Sequence, residues 1–361
     1  VKSIVALICI SALFSVCLAQ DMAENSVYLD QQGSQLYSEK NYTGALAYFD
    51  RAVALDGSYA DIWVHRGDAQ RALKFNNESL TSYSAAIDLN PNSPAAYAGM
   101  AEAYFALKNY SNASASMSKA IELDPSNKLY WYKEGSYLTS LKMYGDAINS
   151  TDRAIALDVS YVDAWLQKAT VQKTLKQYNE SLASYDATLM LAPNSTAAYV
   201  GKSDVYAALK DYANAQAMIS TATSLDPKSK SNWLREGSYL LHLGRFSESA
   251  KALDNATSLD PSYKDAIYRK GVALMAQSLP EEAMRLYDQV ISLDPNYKAA
   301  YNAKGLALES LGRYEEAISS YDMALGIDPN YSLAINGKMH SLLALHNYGG
   351  AIESFVKIGA F

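Results

Sequence analysis

Along residues 298–331, KAAYNAKGLALESLGRYEEAISSYDMALGIDPNY, apolar and small residues return twice at the spacing of a single helix face. Tyr301, Gly305 and Leu308 stand at i, i+4 and i+7, and beyond Gly312 the spacing restarts with Ala317, Tyr321 and Ala324. Gly312 interrupts the first run. Asp328-Pro329 closes the second, because a proline ring disfavours α geometry in the residue before it. The pattern predicts a helical hairpin of 34 residues, polar on one side and apolar on the other.

The same window fits without insertion or deletion from Ser26 to Phe361, giving ten hairpins that start at 26, 60, 94, 128, 162, 196, 230, 264, 298 and 332. Trp63, Trp131, Trp165 and Trp233 share one position in the first helix, with Tyr97, Tyr199 and Tyr301 there in other copies. Four residues on lies a small position (Gly33, Gly67, Ala101, Gly135, Ala169, Ser203, Gly237, Gly271, Gly305), and the second helix has its own Ala or Ser position from Ala45 to Ala351. Small side chains let helix backbones approach, and the aromatic position is expected to fill the space beside them. Seven of nine prolines sit in the closing turn.

These residues resemble the tetratricopeptide repeat (TPR) family, and the resemblance spans Ser26–Phe361. It implies an all-α, right-handed superhelical solenoid of ten antiparallel helix pairs, with the first helices lining a concave face that binds protein or peptide segments. One position departs from the family pattern. Where the family has Leu before the small residue, this chain has Arg66, Glu134, Lys168, Glu236, Lys270 and Lys304, which are expected to face solvent.

The first 19 residues lie outside the repeat phase. Lys2 precedes an uncharged apolar run ending in Cys17-Leu18-Ala19, which reads as a signal peptide or an N-terminal signal anchor. Residues 20–25 form a short linker to the array at 26–361. Both cysteines, Cys9 and Cys17, fall in the leader, so its removal leaves no thiol for a disulfide, a nucleophile or a zinc site. A net charge of -7 with scattered Lys and Arg argues against a nucleic-acid partner.

A longer period of 102 residues underlies the first, and 60–161 aligns with 162–263 even at positions outside the packing faces. It marks stripes on the first helices as a candidate partner-binding face: Asp61, His65, Asp68 and Arg71; Tyr132, Lys133 and Ser136; Asp163, Gln167 and Lys173; Leu234, Arg235 and Ser238; Asp265, Tyr268, Arg269, Val272 and Met275. Alternating charge there would set the register of an extended protein or peptide segment, with Tyr132 and Tyr268 giving contact area. The Lys and Asn set with which the family clamps a terminal carboxylate is not found on these stripes.

Nine of the 20 asparagines stand in Asn-X-Ser/Thr: Asn41, Asn77, Asn109, Asn112, Asn149, Asn179, Asn194, Asn255 and Asn330. With an export signal ahead of them they are candidate glycosylation sites, although Asn and Ser also suit turns on their own account. No catalytic, cofactor or metal-ligand motif emerges. Gly201-Lys202-Ser203 lacks the first glycine of a phosphate loop, and His65, His242, His340 and His346 lack ligand spacing. The closing-turn aspartates, Asp56 to Asp328, are placed to cap a following helix. Met339 replaces the small residue in the last hairpin, where Ile352, Phe355, Ile358 and Phe361 point to self-association or to a chain that continues. The sequence thus describes a non-catalytic binding scaffold, exported or membrane-tethered. Its alternatives are an envelope or pilus assembly factor acting at the membrane, and the regulatory arm of a larger enzyme such as a glycosyltransferase.

Overall fold

The computed structural model describes residues 25–359, with side chains up to Ser354 and at Val356. The leader, most of the linker and the side chains of Phe355, Ile358 and Phe361 fall outside the described residues. All regular structure within them is helical. Ten first helices are α1 (Ser26–Ser38), α3 (Ala60–Ala72), α5 (Pro94–Ala106), α7 (Lys128–Ser140), α9 (Val162–Thr174), α11 (Thr196–Ala208), α13 (Lys230–His242), α15 (Lys264–Ala276), α17 (Lys298–Ser310) and α19 (Ser332–Ala344). Their partners are α2 (Tyr42–Leu55), α4 (Asn76–Leu89), α6 (Tyr110–Leu123), α8 (Tyr144–Leu157), α10 (Tyr178–Leu191), α12 (Tyr212–Leu225), α14 (Phe246–Leu259), α16 (Pro280–Leu293), α18 (Tyr314–Ile327) and α20 (Tyr348–Gly359). The described residues fall into two compact units, one through Ser184 and one from Tyr185. In each, helix packs on the next helix along the chain.

Helices of 13 or 14 residues are marginal alone, so their ends and their packing decide the fold. Every hairpin turn has the same ending. Residues 40, 74, 108, 142, 176, 210, 244, 278, 312 and 346 all have φ between 57° and 73°, and the amide that follows each reaches back five residues, as Asn41 N–H does to the Leu36 carbonyl at 2.9 Å. This is the left-handed helix stop that glycine serves best, yet glycine occupies it only at Gly244 and Gly312.

The closing turns are tied three ways. Each aspartate's carboxylate accepts the amide two residues on: Ser160 N–H donates to Asp158 at 2.9 Å, and Ser262 N–H to Asp260 at 2.9 Å. The aspartates therefore end the preceding helix and shape the turn rather than cap the next helix as the sequence suggested. Each tryptophan donates its indole N–H, at 2.9 Å, to the carbonyl six residues earlier: Gly57, Pro125, Val159 and Pro227. Lys230, Lys264 and Lys298 then reach Asp260, Asp294 and Asp328 of the next turn at 2.5, 2.6 and 2.5 Å, and Lys128 pairs likewise with Asp158. The Lys hydrogen bond, with that from the following serine, holds Asp158 and Asp260 down to about 2.

The small position is not filled by tryptophan. A Cβ added at Gly67 would lie 2.7 Å from the ring of Tyr83, and the same ring blocks Gly99 of the next pair. Tyr83 is fully buried, and Phe49, Met117, Tyr185, Ile219, Leu253, Tyr287 and Tyr321 occupy its position elsewhere. A second-helix side chain wedged between two first helices is thus the core, while the tryptophans are half-buried turn locks.

The charged residues before the small position do not simply face solvent. Arg66, Lys168, Lys270, Lys304 and Lys338 pair with Asp50, Asp152, Asp254, Asp288 and Asp322 at 2.5–2.7 Å, and Lys202 pairs with Asp186. Glu134 and Glu236 are buried, at 6% and 9% exposure. Glu134 accepts the hydroxyls of Ser114 (2.7 Å) and Ser118 (3.2 Å) through Oε1, while Oε2 has no partner among the described residues. Burial raises its pKa above the ordinary carboxylate value.

Candidate functional site: grooves on the first helices

In the unit through Ser184, the first helices carry two adjoining grooves. One, of about 540 Å³, lies between α3, α5 and α7 and is lined by Arg71, Lys74, Asn76, Glu102, Phe105, Tyr132, Lys133 and Ser136, among others. The other, of about 400 Å³, is shared by α5, α7 and α9 and is lined by Phe105, Tyr132, Ser136, Thr139, Ser140, Asp163, Leu166 and Gln167, among others. Phe105, Tyr132 and Ser136 belong to both.

Glu102 organises the first groove. Its carboxylate takes Lys133 at 2.6 Å and pairs with Arg71, and all three are less than a third exposed. Arg71 also lies 3.5 Å from Asp68, which accepts the hydroxyl of Tyr83 at 2.7 Å. The wedge that packs the pairs therefore orients this charge chain from below. In the second groove the Gln167 amide sits 2.8 Å from the Ser136 hydroxyl, and the Tyr132 ring is 5.2 Å from that of Tyr161. Burial, and then the nearby Asp163 carboxylate, raise the Tyr132 phenol above its ordinary value.

His65 and Asp68 line a separate cavity of about 220 Å³ with Ser34, Tyr37 and Phe49. His65 Nδ1 meets Asp30 at 2.8 Å, and this hydrogen bond raises the imidazole pKa against the opposing effect of burial. Asp61 is exposed in the first turn of α3, and Lys173 lies in the last turn of α9.

In the unit from Tyr185, Arg235 meets Asp204 at 3.2 Å. Tyr268 packs on Tyr287 and Tyr297 (5.9 and 5.5 Å), and the Tyr297 hydroxyl donates to Asp265 at 3.1 Å. Arg269 is exposed and forms no ion pair among the described residues. The stripes thus gather into two groups: His65, Asp68, Arg71, Lys133, Tyr132, Asp163 and Gln167, joined by the Arg71–Asp68 pair and by Tyr132, which lines both grooves, and, in the other unit, Asp265 with Tyr268.

Reading the sequence found Ser136 on a stripe but missed Asp30, Lys74, Glu102, Phe105 and Asp204. A signal for two of the missed residues, Glu102 and Asp204, was present. Glu102 and Lys133, Ser136 and Gln167, and Asp204 and Arg235 are all 31 residues apart, the offset at which the ninth residue of one first helix meets the sixth of the next.

Family models described as tetratricopeptide repeat or TPR repeat match residues 67–108, 94–127, 162–195, 196–229, 234–298 and 268–332. A stretch of 75 residues is 32% identical to the STIP1 homolog of Dictyostelium discoideum, covering 21% of this chain and only 13% of that protein. Among solved structures, YrrB, described as a TPR protein with an unusual peptide-binding site, is similar over 52% of this chain and 97% of its own (23% identity, TM-score 0.48). Yeast Tom70 is similar over 92% of this chain and 91% of its own (15% identity, TM-score 0.42). With its 34-residue period, ten helix pairs and family matches spread from 67 to 332, the chain belongs to the tetratricopeptide repeat family.

Proposed function

We propose that the protein is a non-catalytic scaffold that binds an extended protein or peptide segment along its first helices, outside the cytoplasm, released or tethered by its leader. The observation that carries this reading is a division of labour between helices. The grooves are walled mainly by first helices. All nine sequon asparagines are exposed, and each lies in a second helix or a turn, none in a first helix. Asn41 and Asn109 cap α2 and α6 through Oδ1 (3.1 and 3.2 Å), so the amide nitrogen that a glycan would take is not the capping atom. Sugars on these sites would spring from second helices and turns, with Asn77 next in sequence to the groove-lining Asn76. The test is capture of a partner from the native envelope by the full chain. Loss of the partner on Tyr132→Ala is the expected result, and equal recovery by a folded Tyr132→Ala variant would refute the reading.

Self-association belongs to the same proposal. On α20, Tyr348, Ile352 and Val356 recur at i, i+4 and i+8 and are 60%, 64% and 59% exposed, an apolar stripe where earlier second helices end the same row in Asp or Ser, as at Tyr314, Ile318 and Asp322. We expect light scattering to show a species larger than the monomer that Ile352→Lys disperses; a monomer at high concentration argues against it.

A further inference from the structure

The two adjoining grooves differ in charge, and the difference deepens the reading above, on which this inference rests. The first presents three cations, Arg71, Lys74 and Lys133, and one carboxylate, Glu102. Arg71 and Lys133 share that carboxylate. Lys74, held at φ 65° in the turn between α3 and α4, is exposed and has no carboxylate partner among the described residues. This groove has a place for an anion.

The second groove reverses the sign. Its lining includes the carboxylate of Asp163, exposed and without an ion pair among the described residues, and no Lys or Arg. The hydroxyls of Thr139 and Ser140 donate to the Gly135 and Ser136 carbonyls of their own helix at 2.7 and 3.1 Å. Their protons are committed, and what they retain for a ligand is acceptor lone pairs. Beside them stand the rings of Phe105, stacked on Tyr137 at 4.8 Å, and Tyr132, 5.2 Å from Tyr161, whose π-electrons add an attraction for a cation. A carboxylate, hydroxyl acceptors and aromatic faces together select a donor-rich positive group.

Because Phe105, Tyr132 and Ser136 wall both grooves, one ligand can lie across them. The geometry points to an extended protein segment that carries both an acidic and a basic side chain, the acid set toward Lys74 and the base toward Asp163 and Tyr132. Lys74 follows α3 and Asp163 opens α9, three first-helix steps apart, and with packed helices about 8–10 Å apart the span is roughly 24–30 Å. A polyproline II segment advances about 3.1 Å per residue and returns to the same side every third residue, so the two charges belong about nine residues apart.

The experiment uses the full chain and fluorescent twelve-residue peptides of Pro, Ala and Ser, read by anisotropy. One peptide carries Glu and Lys nine residues apart, one carries them three apart, and two carry a single charge each. We expect the peptide with the wider spacing to bind about tenfold tighter than either single-charge peptide, and to weaken with added salt. Asp163→Asn should reduce its affinity to that of the Glu-only peptide, and Lys74→Ala should reduce it toward that of the Lys-only peptide. Both side chains are exposed, so circular dichroism should show both variants folded. Equal binding of all four peptides overturns the charge assignment and leaves groove binding standing. Failure of all four to bind, with the envelope partner still captured, overturns the assignment as well. Failure of both peptides and capture overturns the underlying reading too.

Discussion

Single residues in this chain hold conformations and burials whose costs can be isolated. At Gly312 a Cβ would meet nothing within 4 Å while φ is 73°, so Gly312→Ala tests backbone conformation alone. We expect a loss of about 1 kcal/mol, read as a lower urea midpoint. Gly99→Ala is a different case, since its Cβ collides with the buried Tyr83 ring, and overpacking there should cost about 1–3 kcal/mol. Glu134 links burial to pH. A carboxyl whose folded pKa is raised gives its full stability below the unfolded pKa and loses it as pH rises through the folded value. We therefore expect Glu134→Gln to raise the urea midpoint at neutral pH relative to the parent chain, with the two converging in mild acid. A parent chain whose advantage instead grows with pH would contradict the assignment.

Between elements, the recurring contacts are a buried wedge and an ion pair. Where the second helix carries Asp50, Asp152, Asp186, Asp254, Asp288 or Asp322, the residue sixteen places on is Lys or Arg. Where it carries Ser84, Ser118 or Ser220, that residue is Met100, Glu134 or Glu236. The pairs are half-exposed and each is worth little, about 0.2–1 kcal/mol. Lys304→Asp should lower the thermal midpoint, and adding Asp288→Lys should recover part of the loss, a recovery that high salt diminishes. Helix boundaries were legible in the sequence because the closing turn, as at Asp328-Pro329, and the tryptophan position recur in copy after copy, while the hairpin-turn glycine marks the first helix's end only at Gly244 and Gly312. The partners of Arg66 or Lys133 were harder to see. A repeat alignment compares equivalent residues, whereas contact joins different positions of neighbouring copies, at offsets of 16 and 31. Arg71, Tyr132, Lys133, Asp163 and Gln167 were found as stripes on single helices; Glu102 and Lys74 emerge only when adjacent helices are read together.

At the scale of the whole chain, the second helices and turns hold the candidate sugars while the first helices hold the grooves, and each half can be tested separately. Protein from its native source should exceed the polypeptide mass, and replacing Asn77, Asn179 and Asn255 by Gln should remove part of the excess by mass spectrometry. A mass equal to that of the bare polypeptide would count against glycosylation. The alternation of Asp–Lys and Ser–Glu contacts also bears on how such a gene can change length. A crossover that excises residues 128–229 brings Ser118 against Glu236, reproducing the contact Ser118 already makes with Glu134. One that excises only 128–161 brings Ser118 against Lys168 and strands that cation without its aspartate. An excision of three hairpins thus keeps a contact that an excision of one would break, and three hairpins is the interval that the present sequence carries as its internal duplication.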